Sequence, residues 1–229
     1  MKFNFLKKNR SIFFSASVFV LLVTSCSEER VEPELEYGTV TDVEGNIYKT
    51  IQIGDQVWMA ENLKTTTYTD GVPINEISND SLWRIDTLGA YCWYENDNSN
   101  AEHNGALYNW YAVATQKLCP IGWHVPTEEE WRELLHTLGG IGCEELSVSG
   151  WNYQSMESKG QNYQGILSGR RDHRYQHQME YAELGEAGYF WLDLEYAERA
   201  ACGAAIRLHT ESWGTHFKNN RFSIRCIKD

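Results

Sequence analysis

From residue 39 onward, the chain alternates short apolar segments with turns rich in glycine, asparagine and aspartate. In the first segment, Ile47, Ile51 and Ile53 fall on one face of a strand over residues 47–53. Gly54-Asp55 follows directly and suits a two-residue hairpin turn, after which residues 56–60 return as a second strand. The pattern therefore predicts an opening β-hairpin.

Two further segments repeat their apolar residues at the three-to-four-residue spacing of a half-buried helix. In residues 105–116 this spacing is kept by Leu107, Trp110, Tyr111 and Ala114. The second segment opens at Thr127, which can cap the free N–H groups while Glu130 reaches back to the cap. Its apolar face is formed by Trp131, Leu134, Leu135 and Leu138. Gly139-Gly140 predicts where this helix ends.

The remaining segments are typical of short aromatic strands, at residues 189–192, 204–208 and 222–227. No repeat or long low-complexity tract divides them. We therefore expect one α+β domain over residues 38–229, with short antiparallel strands and two main helices.

The amino terminus has the pattern of a secretory signal peptide. Residues 1–10 contain four basic side chains and no acid, and an apolar run follows over residues 12–23. The run leads into Val23-Thr24-Ser25-Cys26, which resembles the lipobox of bacterial lipoproteins. This predicts a signal peptide over residues 1–25 and a lipidated Cys26 that anchors the chain to a membrane. The alternative is an ordinary cleaved signal in which Cys26 is an incidental thiol.

The charge of the chain is acidic, and export makes it more so. The full chain has 20 basic and 32 acidic side chains, a formal charge of −12. Loss of residues 1–25 removes four basic and no acidic side chains, which leaves 16 against 32 and a charge of −16. Because the body of the chain also lacks a basic run, nucleic acid is not expected as a partner.

Residues 26–37 are interpreted as a lipidated tether. Ser27-Glu28-Glu29 resembles the acidic surface-export signal of lipoproteins in the Bacteroidetes, which predicts the outer face of the outer membrane. The alternative is that these charges only keep the linker extended.

Five ordered blocks of the chain combine glycine, tryptophan and cysteine at fixed places: VEGNIYKT (43–50), IGDQVWMAENL (53–63), GALYNWYAV (105–113), CPIGWHVPT (119–127) with Glu130-Trp131, and FSIRCIKD (222–229). Together they resemble the Fibrobacter succinogenes major paralogous domain family. The similarity covers nearly all of residues 40–229. It implies an exported bacterial protein, often a lipoprotein, and a fold, but no established reaction.

A weaker similarity links VPTEEEW, residues 125–131, to a block of formylglycine-generating-enzyme-like domains. Those domains have a C-type-lectin-like fold, so the resemblance implies a C-type-lectin-like domain here. It does not imply catalysis, because the chain has no match to the catalytic cysteine segment of those enzymes. The Glu-Pro-Asn and Trp-Asn-Asp triplets of calcium-dependent lectins are also missing.

Five cysteines remain besides Cys26, an odd number for an oxidising compartment. The resemblance implies a disulfide between Cys119 and Cys226, which the family places in facing blocks. Cys143 with Cys202 is the second expected pair, and Cys92 is then left as a buried thiol.

Nine tryptophans and thirteen tyrosines suggest sugar binding, because flat rings stack on sugar faces. The rings in periodic or ordered blocks are expected in the core: Trp58, Trp110, Trp123, Trp131 and Trp191. Trp93, Tyr94 and Trp213 stand in irregular polar stretches and are the ligand-binding candidates, together with Asp97. The alternative for these rings is core or rim packing.

The stretch over residues 95–104 is rich in side-chain oxygens, from Asp97, Asn98, Asn100 and Asn104. Such a set could hold calcium, and a plain Asx-rich loop is the alternative. No other cofactor is expected, and no metal site is assigned, since no Cys-x-x-Cys pair occurs.

The function expected from these features is non-catalytic binding of an extracellular glycan or protein by a surface-anchored lipoprotein. The first alternative is an enzyme of the formylglycine-generating type or a hydrolase, which predicts a reactive cysteine of low pKa. The second is a structural or adhesin component of the cell surface, which predicts self-association.

Overall fold

The predicted opening hairpin is present at the start of the described chain. The computed structural model describes residues 37–79, 82–83, 86–137, 167–174, 178–207 and 210–229. Strand β1 covers Tyr37–Thr41 and pairs antiparallel with β2, Ile47–Ile53. Strand β3, Gln56–Met59, returns along β2, so the hairpin around Gly54-Asp55 is confirmed.

The face predicted for β2 is correct at one end only. Ile51 and Ile53 are buried, whereas Ile47 is 64% exposed. Tyr48 takes the inward position instead, and its hydroxyl donates to Asp42 Oδ2 over 2.6 Å. The inward face of the strand therefore changes between Tyr48 and Ile51.

The hairpin belongs to a five-stranded antiparallel sheet, ordered β1-β2-β3-β13-β7. Its last two strands come from distant parts of the chain: β7 is Trp123–His124 and β13 is Ile227–Lys228. Ile227 pairs with Trp58 on one side and with His124 on the other. The end of the chain is therefore inserted between the hairpin and residue 124.

The second sheet also has five strands, ordered β12-β11-β10-β8-β9. The strands are β8 (Ser168–Arg174), β9 (Gln178–Leu184), β10 (Ala187–Ala197), β11 (Ala200–Arg207) and β12 (Thr210–Phe217). All neighbours are antiparallel except β10 and β8, which run parallel at Gly188 and Gly169. Residues 189–192 and 204–207 lie in these strands as predicted, whereas Phe222 and Ser223 form only isolated bridges.

The third sheet is small, and a turn-rich segment connects two of its strands. Its strands are β4 (Asn75–Glu76), β5 (Ala90–Cys92) and β6 (Leu107–Tyr108). Between β5 and β6 lie two 3-10 helices, Tyr94–Asn96 and Asn98–Asn100, followed by the one-turn helix α1, Ala101–Asn104.

The helix expected over residues 105–116 is wrong in extent. Helix α2 covers only Trp110–Val113, because Asn109 starts it with an extended backbone and accepts from the N–H of Ala112 over 3.1 Å. Asn109 Oδ1 also accepts from the N–H of Ala90 over 3.0 Å, which ties the cap to β5. The helical spacing of apolar residues in 105–116 therefore spans a strand, a helix cap and a single helical turn.

Helix α3 covers Glu128–Thr137 and begins with the predicted capping box. The N–H of Glu130 donates to Thr127 Oγ1 over 3.2 Å, and the N–H of Thr127 donates to Glu130 Oε2 over 2.8 Å. Its predicted apolar face is buried at Trp131, Leu134 and Leu135. Leu138 and Gly139-Gly140 lie outside the described residues.

The fold of the described residues is therefore sheet-rich α+β. The expected pair of main helices is not found there, since α3 is the one α-helix in those ranges that exceeds a single turn. Trp131 of α3 contacts both large sheets, with ring centroids 6.0 Å from Trp58 and 5.6 Å from Phe190. Helix and sheets share one apolar cluster in this way.

The disulfide between Cys119 and Cys226 is present and joins positions 107 residues apart. In the chain-entropy account, closing a loop of this size stabilises the fold by up to about 4.7 kcal/mol. Cys92 is a buried free thiol, as expected. Cys202 also carries a free thiol, so the second expected disulfide is not supported, and its other member, Cys143, lies outside the described residues.

The predicted signal peptide, Cys26 and most of the tether precede residue 37 and lie outside the described residues. The part that is described belongs to one contact unit, Leu35–Asp229. Within it, none of the helices reaches the length and apolar character needed to cross a bilayer.

Candidate functional site

Two of the aromatic residues predicted as surface ligands, Trp93 and Tyr94, are buried. Trp93 is 8% exposed and Tyr94 is 5% exposed. The Trp93 ring packs edge-on against Tyr91 at 5.2 Å between centroids, and the Tyr94 ring lies 5.0 Å from that of Tyr181. Core packing, the alternative for these rings, is what the structure has.

The β8–β9 hairpin closes over this segment. The Tyr181 hydroxyl lies 3.1 Å from Trp93 O and 2.7 Å from Asn96 Oδ1, and it accepts from the Arg171 guanidinium over 2.7 Å. Gly169 on β8 has a positive φ of 66°, and a Cβ there would lie 2.9 Å from the Tyr94 ring. A side chain at this position would push the hairpin off the aromatic pair. We call this region, residues 93–97 beneath Gly169, Arg171 and Tyr181, the aromatic corner.

The other candidates are also accounted for locally. Asp97 is exposed, but its carboxylate accepts from the N–H of Ser99 over 2.9 Å and caps a 3-10 helix, and these hydrogen bonds lower its pKa. Asn100 Nδ2 donates to Tyr94 O over 3.0 Å. These are the local hydrogen bonds of an Asx-rich loop, and calcium binding by the stretch stays a prediction. In the part of the chain that is described, no three His, Cys, Asp or Glu side chains are grouped as a metal site. For Trp213 the structure describes the backbone alone, which pairs with Ala204.

A well-formed opening lies elsewhere, where the end of α2, strand β7, strand β10 and the C-terminus meet. It is a cavity of about 310 Å³. Polar groups converge on it from four separate segments: Gln116, His124, Asp193 and Asp229. Its apolar wall is formed by Val113, Leu118, Cys119, Trp123 and Val125. We call it the His124 cavity.

The strand pairing of β7 with β13 places His124 and Asp229 side by side. His124 Nδ1 lies 2.7 Å from Asp229 Oδ1, and His124 Nε2 lies 2.9 Å from Glu130 Oε1. Since a carboxylate only accepts hydrogen bonds, both ring nitrogens must carry a proton to make these contacts. Burial alone would lower the pKa of His124, but the bonds to Asp229 and Glu130 outweigh it and raise that pKa. The capping box and the chain end are thus joined by one imidazolium.

Asp193 is the carboxylate of the cavity that belongs to no such pair. The N–H of Asp193 donates to Pro126 O over 2.9 Å, which fixes its position beside the start of α3. Burial raises the pKa of Asp193, whereas the charge of His124 and a hydrogen bond from Gln116 lower it, and the net effect is a raised pKa. Gln116 itself has a left-handed backbone, φ 55°, in the turn after α2. Half-burial of the carboxylate leaves it able to accept hydrogen bonds from a ligand.

Trp123 forms the aromatic wall of the cavity. It was expected in the core, but it is only partly buried and packs against the edge of the core cluster. Its neighbour in the disulfide loop, Cys119, lines the same cavity and is bonded to Cys226. The indole therefore lies within the loop that the disulfide closes.

The contacts of His124 limit the chemistry that this side chain can perform. His124 has no free nitrogen with which to take a proton from a substrate, because both nitrogens already donate to carboxylates. The two free thiols of the described chain do not supply a nucleophile either, since burial raises the pKa of both Cys92 and Cys202. Neither of these two described thiols has the low pKa that the enzyme alternative predicts.

Sequence reasoning did not identify the cavity, because its polar residues lie up to 113 positions apart along the chain, from Gln116 to Asp229. One local signal was present: Trp123-His124 stands just before the capped start of α3, next to Cys119. A histidine at the entry to a disulfide-closed loop could have marked the place.

Comparison with known proteins gave one match. Residues 51–228 match the Fibrobacter succinogenes major domain family. No curated protein and no solved structure matched the chain.

Proposed function

The chain belongs to the Fibrobacter succinogenes major domain family, and from that premise we propose that it is a non-catalytic glycan-binding module. In this proposal the domain is exported, anchored through a lipidated Cys26, and displayed on the outer face of the outer membrane. The ligand occupies the His124 cavity and not the aromatic corner.

The observation that carries the proposal is the make-up of the His124 cavity. Ligand pockets commonly measure about 300–1,000 Å³ and combine apolar walls with a few convergent polar groups. This cavity has a volume of about 310 Å³, one partly buried indole in Trp123, and the acceptors Asp193 and Gln116. A sugar ring offers an apolar face to an indole and hydroxyl donors to a carboxylate, so it matches both walls.

Binding without catalysis is supported by the state of His124. With Asp229 on one ring nitrogen and Glu130 on the other, the imidazolium holds two chain segments together. Among the described residues that line the cavity, Asp193 is the one carboxylate outside that arrangement. Glycoside hydrolysis needs two carboxyl groups that flank the bond. The cavity fits a ligand that is held and then released unchanged.

A C-type-lectin-like architecture is part of the proposal. It is supported by short antiparallel strands, by the capped helix α3, and by a terminal strand that a disulfide fastens to the middle of the chain. Such a frame places ligand sites in irregular connections between strands. Gln116 stands in such a connection, and Trp123 begins the two-residue strand β7.

Export and lipid anchoring are supported by the amino-terminal pattern and by the disulfide. The lipobox-like Val23-Thr24-Ser25-Cys26 follows a basic and apolar leader. A disulfide that joins Cys119 and Cys226 suits an oxidising compartment outside the cytosol. Radiolabelled palmitate should be incorporated into the chain and should not be incorporated into Cys26→Ser.

The experiment that tests the function is a glycan array probed with the full chain in detergent and with Trp123→Ala. Tyr196→Ala is the matched control, because Tyr196 is 70% exposed and does not line the cavity. We expect binding of a restricted set of glycans, lost in Trp123→Ala and kept in Tyr196→Ala. Trp123→Phe, which keeps an aromatic face, should retain part of the signal.

Other outcomes of the array favour the alternatives. If the chain binds no glycan and forms higher oligomers in solution, the proposal is rejected and the structural or adhesin alternative gains support. Binding that Trp123→Ala leaves unchanged would place the ligand outside the His124 cavity.

A further inference from the structure

The charges around the His124 cavity are unbalanced. One imidazolium, His124, faces three carboxylates: Glu130 and Asp229 in direct contact, and Asp193 across the cavity. No lysine or arginine is among the described residues that line the opening. The site therefore favours a ligand group of positive charge over one of negative charge.

Among the described residues, Asp193 has no lysine or arginine as a counter-ion. The charge of His124 reaches it, but His124 already bonds to two other carboxylates. Among the described residues, the neighbour that offers Asp193 a hydrogen bond is the neutral Gln116. A half-buried carboxylate in this setting gains more from a cationic partner than an exposed one would, because water screens the pair less.

Trp123 supplies the second element that recognises a cation. The indole lines the cavity together with Asp193, so both bound the same space. An ammonium group near an indole face is attracted by the ring quadrupole, and the attraction strengthens when the group is partly desolvated. An aromatic face and a carboxylate together are suited to an ammonium group.

We propose that the His124 cavity selects glycans that carry an unacetylated amino group, whose ammonium lies between Asp193 and the Trp123 indole. This inference rests on the proposed function, since it names the class of glycan for the same cavity. A neutral glycan keeps the stacking contact but lacks the charge pair, and a uronic or sialic acid brings a second negative charge beside Asp193.

The test compares three trisaccharides that differ only at C2 of the sugar: glucosamine, N-acetylglucosamine and glucose. Isothermal titration calorimetry uses the full chain in detergent at about pH 6, where the sugar amine carries its proton. We expect the glucosamine trisaccharide to bind at least about tenfold more tightly than either of the others.

The variant Asp193→Asn removes the charge and keeps the shape of the side chain. It should bring the three affinities to within about twofold of one another, because one tight charge pair accounts for most of the difference. Glu198→Gln is the matched control, since Glu198 is exposed in the turn between β10 and β11 and does not line the cavity. It should keep the preference for the amine.

The outcomes separate this inference from the function on which it rests. Equal binding of all three sugars, or a preference for the acetylated one, overturns the amine selection and leaves glycan binding intact. Lack of binding by every trisaccharide also overturns the amine selection, and the glycan array, with its wider set of sugars, then decides the proposed function. The comparison on the unaltered chain decides the matter even if Asp193→Asn fails to fold.

Discussion

Trp93 and Trp123 stand in different surroundings: the first is buried, and the second lines the His124 cavity. In the aromatic corner, Trp93 is 8% exposed and the β8–β9 hairpin closes over its neighbour Tyr94. In the His124 cavity, Trp123 is partly buried, and the chain end and β10 surround an opening of about 310 Å³. Whether an aromatic ring meets solvent is decided here by distant segments and not by its own neighbours in sequence.

The largest expected effect separates the two tryptophans by their roles. Trp93→Ala should lower the free energy of unfolding by about 3–5 kcal/mol, because a buried indole leaves a cavity behind. Trp123→Ala should lower it by no more than about 1.5 kcal/mol, since the ring is only partly buried. Urea unfolding followed by circular dichroism measures both. Equal losses would show that the two segments do not differ as described.

Removal of the disulfide tests whether this bond keeps the His124 cavity open. The double variant Cys119→Ser/Cys226→Ser should lose about 2–5 kcal/mol of stability, because the unfolded chain regains the freedom of a long loop. It should also lose glycan affinity, since Cys119 lines the cavity. Cys202→Ser is the control, as Cys202 is a free thiol at the margin of the core. If the double variant binds glycan normally, the His124 cavity does not depend on the disulfide.

A substitution at Gly169 tests whether the β8–β9 hairpin must pack closely over the aromatic corner. Gly169→Ala should lower the stability by about 1–3 kcal/mol, because the new Cβ meets Tyr94 and the backbone of β9 and its φ is positive. Glycan affinity should stay within about twofold, since the site lies elsewhere. Gly214→Ala is the matched control, because a Cβ there meets no atom within 4 Å. Loss of affinity in Gly169→Ala alone would place the aromatic corner in the ligand site.

The smallest expected effect is the pH dependence of stability that arises from His124. The folded-state pKa of His124 is above 6.5, so its stabilisation is present below pH 6.5 and is lost as the pH rises through the folded value. The loss should amount to about 1 kcal/mol or less, because His124 is 36% exposed and water screens the pairs. It appears as the difference in unfolding free energy between wild type and His124→Gln across pH 6–9.

His216 serves as an internal control, because its effect on stability changes with pH in the opposite direction. Burial beside Trp191 and Phe222, with the charge of Arg170, lowers its pKa to about 4. The unfolded chain therefore binds a proton below pH 6.5 that the native chain refuses, and stability falls as the pH drops toward 4. His216→Gln should remove this acid loss and leave the range above pH 7 unchanged. If both histidines changed the stability in the same direction with pH, the environments described for them would be wrong.

The sequence predicted those elements whose signals are local. The β2–β3 hairpin follows from its turn residues, and α3 follows from the capping box of Thr127 and Glu130. The Cys119–Cys226 disulfide was implied by resemblance and is present. Each of these depends on residues within a few positions or on a family pattern.

The errors occurred where a distant segment decides the outcome. Asn109 is held by Ala90 and breaks the helical spacing of residues 105–116. Tyr181, almost ninety positions away, covers Tyr94, and Asp229 joins His124 across the sheet. No periodicity within the chain contains these pairings, so exposure, and with it the candidate site, could not be read from the pattern alone.

The central claim is that the ligand contacts Trp123 and not Trp93, and indole NMR tests it directly. The nine tryptophans of the full chain are labelled with ¹⁵N at the indole, and Trp123→Phe and Trp93→Phe assign the two signals. The chain is then titrated with whichever of the three trisaccharides binds most tightly. We predict that the Trp123 signal shifts in a saturable way while the Trp93 signal stays in place. A shift of Trp93 with an unchanged Trp123 would contradict the account.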